Sequence, residues 1–194
     1  MAIDSANALT TLVATKVWVA IASAVTTFDA LIEIYIDAVC AQFNNYTKRL
    51  LKSRTLTEYY EGNGTPDLYV RQYPITSITS IHIDNDRAYG AATLIDPTKY
   101  VLYDDGKIHL DQNTFSAAAK ANKIVYVAGH TTIPNDLVMA VQDQIKWMFR
   151  KHQSNQEGIR VETQIGGSTT LTEEGEILTS SLEILKRYKR KDHI

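Results

Sequence analysis

The apolar spacing of this chain changes period twice, and a chain that does so has to carry a sheet between helices. Phe28, Leu31, Ile32, Tyr35, Val39, Phe43, Tyr46 and Leu50 recur every three or four residues, which lays them along one stripe of a long helix. After Arg54 the period becomes two: Thr55, Thr57 and Tyr59 alternate with Leu56, Glu58 and Tyr60, as the two faces of a strand require. From Leu137 the set Leu137, Val138, Val141, Ile145, Met148 and Phe149 returns to helical spacing, behind the punctuating TTIPND of residues 131–136. The expected class is α+β and mainly helical: a helical bundle with a small antiparallel β module inserted between the long second helix and the third.

The boundaries follow from local signals. Helices are expected at about 9–22, 28–52 and 137–153, with the β module at about 55–128. Thr26 or Thr27 offers an N-cap oxygen to the second helix, Asp29 and Glu33 suit its positive end, and Lys48, Arg49 and Lys52 its negative end. Within the module, EGNGTPD reads as a hairpin turn between residues 55–60 and 68–73, and Asp84-Asn85-Asp86 and Asp104-Asp105-Gly106 read as further turns. Ile75, Ile78, Ile81 and Ile83 lie in a Thr/Ser/Ile strand that starts after Pro74; residues 100–103, 107–110 and 124–128 supply the remaining strands. The chain divides into a body, 1–153, and an extension, 154–194, in which 159–165 reads as a short strand and 173–190 as a terminal helix.

Charge is uneven along the chain. The formal net charge of -2 argues against wrapping nucleic acid by neutralising many phosphates. Residues 152–185 hold one Arg against six Glu, whereas 186–194 hold Lys186, Arg187, Lys189, Arg190 and Lys191 against Asp192, a basic tip on an acidic stalk. Cys40 is the single cysteine, which rules out an intrachain disulfide, and its apolar setting AVCAQF marks it as a core thiol. The start MAIDSAN lacks a basic n-region, and the apolar run 17–25 is short of the roughly 20 residues a bilayer span needs, so a soluble intracellular protein without a membrane partner is expected.

Signals for chemistry are weak. Gly62-Asn63-Gly64 has neither the third glycine nor the following helix of a dinucleotide fingerprint. Asp84-Asn85-Asp86 opens like a calcium loop but carries Tyr89 where the glycine belongs. His82, His109, His130, His152 and His193 show no ligand spacing, so no metal site and no cofactor are expected. Asp104-Asp105 and Glu58/Glu61 read as solvated carboxylates, and no nucleophile elbow surrounds a serine. The expectation is that the chain is not an enzyme. Of eleven tyrosines, Tyr59, Tyr60, Tyr69, Tyr73, Tyr100, Tyr103 and Tyr126 fall in the β module, where tyrosine serves both pleat packing and protein interfaces.

The order of the strings EYYEGNG, LYVRQYPITSITSI, YVLYDDGKIHL, IVYVAGHTTIPNDLVMAV and WMFRK between the helices resembles the head-tail connector proteins of long-tailed double-stranded DNA phages, also called adaptor, head-completion or DNA packaging proteins. The likeness covers about residues 9–150; beyond Ser154 it cannot be followed residue by residue. It implies a structural virion protein of the neck, assembled in the host bacterial cytoplasm. About twelve copies would form a ring by head-to-tail contacts beneath the portal protein, joining head to tail above a downstream stopper or tail-completion protein. Double-stranded DNA would pass through the lumen without sequence-specific binding. Under that resemblance Lys186, Arg187, Lys189, Arg190 and Lys191 are the expected portal-binding residues, and Tyr59, Tyr60, Tyr69 and Tyr73 the expected subunit interface. Alternatives are another neck component, such as a stopper or tail-completion protein, a tyrosine-rich ligand-binding module, or a hydrolase built on scattered carboxylates.

Overall fold

The computed structural model describes residues 3–103, 105–154, 161–164, 167–170 and 177–190. The chain forms two compact units, one from residues 1–48 with 133–190 and one from residues 49–132. Four helices and eight strands among the described residues make the class α+β, but strands are about as common as helices, which corrects the expectation of a mainly helical bundle. The module between the second and third helices is a unit with its own core.

The first unit holds α1 (Leu12–Trp18), α2 (Asp29–Thr47), α3 (Asn135–Gln153) and α4 (Thr179–Tyr188). α2 buries Ile32, Ile36, Val39, Cys40 and Phe43, and α3 buries Leu137, Ala140, Val141, Ile145 and Phe149, as their helical spacing requires. Phe28 meets Phe149 edge to face at 5.3 Å, and the Cys40 sulfur accepts the Leu9 N–H at 3.4 Å in the core. α1 is shorter than expected. Thr11 caps it, and the helix stops where Ala20 turns left-handed (φ 62°) and the Ile21 N–H returns to the Lys16 carbonyl. The physical reason is Lys16, whose buried ammonium donates to the Ser23 and Val25 carbonyls at 3.0 and 2.7 Å and meets the Asp29 carboxylate at 2.7 Å. The loop therefore wraps one charge, and Asp29 is held by Lys16 while no threonine caps α2.

α2 also ends early, because Lys48 adopts the left-handed conformation and its N–H closes on Asn44 and Asn45. α4 belongs with the helices: Ile184 and Leu185 are buried, Ser181 donates to the Ala140 carbonyl at 3.2 Å, and the Gln144 side chain accepts the Leu178 N–H at 2.9 Å. Two further strands, β7 (Val161–Gln164) and β8 (Gly167–Thr170), form an antiparallel ladder. Residues 173–176, expected in the last helix, lie outside the described residues. No helix among the described residues is long and apolar enough to cross a membrane.

The second unit holds β1 (Arg54–Tyr60), β2 (Asp67–Tyr69), β3 (Ile75–Ile83), β4 (Tyr100–Leu102), β5 (Lys107–Leu110) and β6 (Asn122–Ala128). They form two antiparallel sheets, ordered β1-β6-β3 and β2-β5-β4, whose inward residues share one core around Tyr126, Ile81, Ile108, Leu110, Phe115 and Ile124. β3 shows how register is settled. Its isoleucines 75, 78 and 81 are three apart, a spacing that would alternate them between faces. Two bulges each absorb one residue, so Ile75, Ile78, Ile81 and Ile83 lie opposite Ala128, Tyr126, Ile124 and Asn122, all buried positions of β6.

EGNGTPD is not the expected hairpin, since β1 and β2 belong to different sheets. Gly62 and Gly64 instead donate to the carbonyls of Ser116 and Phe115 at 2.8 and 3.0 Å. A Cβ on Gly62 would stand 2.6 Å from the Phe115 oxygen, so glycine is there for close backbone approach. The hairpin in this unit joins β4 to β5, where Gly106 (φ 87°) closes the turn and Asp105 accepts the Lys107 N–H; Asp104 lies outside the described residues.

Candidate functional site

The alternation of β2, β4 and β5 sends Leu68, Leu102, Ile108 and Leu110 inward and leaves a second set of side chains facing out. Register groups that set into two rows across the three strands. Asp67, His109 and Val101 form one, and Tyr69, Lys107 and Tyr103 the other, the last joined to Lys107 by a backbone N–H to carbonyl bond of 2.9 Å. The rows are tied together through Asp67, which accepts from His109 Nδ1 at 2.6 Å and pairs with Lys107 Nζ at 3.1 Å. The Lys107 ammonium also stands 5.1 Å over the Tyr103 ring. The hydrogen bond from His109, then that from Lys107, holds the Asp67 carboxyl below its usual value, and the bond to Asp67 raises Lys107. Tyr69, Val101 and Tyr103 are 42%, 46% and 47% exposed, so this face presents apolar area at the surface on a side-chain network that already has its internal partners.

The expected interface tyrosines go to different places. Tyr59 and Tyr69 are exposed, on different sheets. Tyr73 is half-buried beneath the Arg49 guanidinium, 4.0 Å from its ring, and its carbonyl accepts from Arg49. Tyr60 is 8% exposed and part of the core, where its hydroxyl donates to Glu58 and accepts the Arg71 N–H at 2.9 Å. Glu58, expected as a solvated carboxylate, faces inward and also accepts from Tyr126 at 2.6 Å. Burial pushes both phenols well above the usual tyrosine value. This cluster ties β1 to β6 at the edge of the core, where the half-buried carboxylate accepts from both phenols.

A third arrangement gathers Tyr59, His82, Tyr89 and Lys123. Tyr89 donates its N–H to Asp84 at 2.7 Å and its hydroxyl to the Lys120 carbonyl at 2.6 Å, and its ring lies 5.5 Å from that of Tyr59 and 5.3 Å from the Lys123 ammonium. Asp84 thus orders a turn, as expected, by accepting backbone N–H groups, which depress its carboxyl. Among the described residues no group of three His, Cys, Asp or Glu side chains could hold a metal ion.

The described residues include the basic end of α4 up to Arg190. Lys186 pairs with Glu183 at 2.7 Å, and Arg187 reaches Asp136 at 3.9 Å beside the Tyr188 hydroxyl, which donates to the same carboxylate at 2.7 Å. Lys189 stands 6.0 Å from the Tyr46 ring, and the Arg190 N–H satisfies the Thr47 carbonyl at the end of α2. Lys186, Arg187 and Lys189 are exposed, Arg190 is half-buried, and Lys191 lies outside the described residues. The outward rows of β2, β4 and β5 were missed in the sequence reading because only pairing register aligns residues some 40 positions apart. The period-two alternation of Lys107 to Leu110 was the available signal.

No curated protein matches the sequence. Among solved structures, the fold is similar to a chain in the neck of an empty gene transfer agent particle computed with C6 symmetry, with a TM-score of 0.64 at 13% identity over 100% of this chain and 95% of that one. It is similar to a chain of the native gene transfer agent virion, with a TM-score of 0.60 at 14% identity over 100% and 95%. A chain in the neck of the native particle computed with C12 symmetry gives a TM-score of 0.56 at 15% identity over 86% of each. At these identities the likeness is one of fold. The sequence itself matches the model of the head completion protein family across residues 8–191, from before α1 to beyond α4. The chain belongs to the head completion protein family.

Proposed function

We propose that this protein is a structural component of the phage neck that completes the head after DNA packaging and joins it to the tail. The family match over 8–191 carries the reading, and the fold shared with chains of gene transfer agent necks supports it. The protein sits at the head-tail junction of the virion. It acts by binding, not catalysis, as a structural component of the neck does.

Copies of the chain form a ring, about twelve in number, consistent with the cyclic symmetry in which the similar necks were computed. The ring lies between the portal and a downstream stopper or tail-completion protein and extends the DNA channel. A net charge of -2 fits a wall past which DNA moves, since a strongly basic lumen would hold the phosphates. Exposed Lys186, Arg187 and Lys189, with Arg190 and Lys191, form the portal-facing element, where steering toward an acidic groove favours the correct partner. Tyr59 and Tyr69 have the exposure an intersubunit contact needs.

The test is removal of the gene from the phage that carries it, followed by electron microscopy of the particles after induction. Full-sized heads without tails, beside normal free tails, with joining restored by added protein, are expected. Normal numbers of tailed, infectious particles would refute the function.

A further inference from the structure

We infer that the ring contact is made by the outward face of β2-β5-β4 on one copy against the exposed face of α1 on a second copy, an assignment that rests on the ring-forming reading above. Two of the exposed surfaces among the described residues suit such a contact. One is the two-row sheet face with Tyr69, Val101, Tyr103 and Lys107. The other is on α1, where Val13 and Val17, one turn apart, are 67% and 73% exposed and Trp18 is 38% exposed. Trp18 is fixed in orientation: its indole N–H donates to Asp143 at 2.9 Å, and the Lys146 ammonium stands 5.9 Å from its ring.

Symmetry decides how two such surfaces pair. A two-fold contact of the sheet face with itself would leave Val13 and Val17 of α1 uncovered. Head-to-tail contact covers both, and it needs two different surfaces on one chain. The sheet face supplies rigid aromatic rings around an internally paired cation; α1 supplies protruding aliphatic side chains that fit between such rings. Asp67 balances Lys107, so the sheet face offers little attraction to a polyanion and favours a protein partner.

Cysteine cross-linking tests the pairing with low background, because Cys40 is the only cysteine and is fully buried. The gene-deleted phage is complemented with Val17→Cys, Val101→Cys or both, and joined particles are purified and oxidised mildly. The double variant is expected to give a ladder of disulfide-linked species running beyond dimer, and each single variant none. A dimer from Val101→Cys alone, or no ladder from the double variant in joined particles, overturns the assignment while leaving the neck function intact. Joined particles in the deleted phage without complementation would instead overturn the function itself. Should the double variant fail to enter particles, acylation of lysines in the wild-type protein gives the answer: Lys107 is expected to be labelled in the free chain and at least five-fold less in the particle, and equal labelling overturns the assignment.

Discussion

Replacing Tyr126 by phenylalanine tests how far the half-buried Glu58 carboxylate depends on its two phenols. Tyr126 is fully buried and donates to Glu58 at 2.6 Å, and Tyr60 donates to the same oxygen. A hydrogen bond to a charged group contributes about 1.5–3 kcal/mol, so Tyr126→Phe should destabilise the β unit by about 2 kcal/mol. Tyr60→Phe should cost about as much, because the Arg71 N–H it releases belongs to an exposed residue that water can serve. The double variant leaves the half-buried carboxylate beside the core without either donor and should exceed the sum of the singles by about 1 kcal/mol. Adding Glu58→Leu removes the stranded charge and should return about 2 kcal/mol or more relative to the double variant. Trp18 and Trp147 both lie in the helical unit, so indole fluorescence is blind to this change. The assay is urea unfolding followed by tyrosine near-ultraviolet circular dichroism, with amide hydrogen exchange of β6 as the local check; 2 kcal/mol corresponds to a midpoint shift of about 1–2 M urea. Strict additivity of the two phenylalanine substitutions, or a triple variant no more stable than the double, would show that water replaces both phenol donors and refute the argument.

Tyr60 and Tyr126 also set an alkaline limit. Their folded values lie above the unfolded value of about 10, so their contribution is complete below pH 10 and is lost as pH rises further, when only the unfolded chain releases these protons. Absorbance titration at 295 nm should leave Tyr60 and Tyr126 untitrated until alkaline unfolding. Gly129 has φ 105°, and a Cβ there would meet the Lys52 carbonyl carbon at 2.8 Å; Gly129→Ala should cost about 2–3 kcal/mol by the same urea assay. The Asp67 carboxyl should titrate below the usual aspartate range by carbon-13 NMR and move back toward it in His109→Ala, since the histidine hydrogen bond is the largest cause of the shift.

The sequence by itself determined where helix gives way to sheet and back, because periods of 3.6 and 2 are properties of local geometry that consecutive side chains must obey. It therefore disclosed α2, α3, the strand identities within the module, the buried Cys40 and the turn at Asp84, as well as the family likeness carried by the order of those strings. Its misses lie where a residue's partner is remote in the chain. α1 stops early because Lys16 is claimed by carbonyls seven and nine residues on; EGNGTPD crosses between sheets because Gly62 must pass Phe115; Glu58 turns inward because Tyr126, 68 residues away, lies across from Leu56 on the same face of β1. The spacing of Ile75, Ile78 and Ile81 contradicts a flat strand until two bulges resolve it. Separating the core Tyr60 from the surface Tyr59 and Tyr69, and aligning Tyr69, Lys107 and Tyr103 in one row, needed pairing register, which depends on which strands meet. Local sequence fixes the period of a segment, whereas the choice of strand partner is a balance of burial over the whole unit, and that balance exists only in the folded chain.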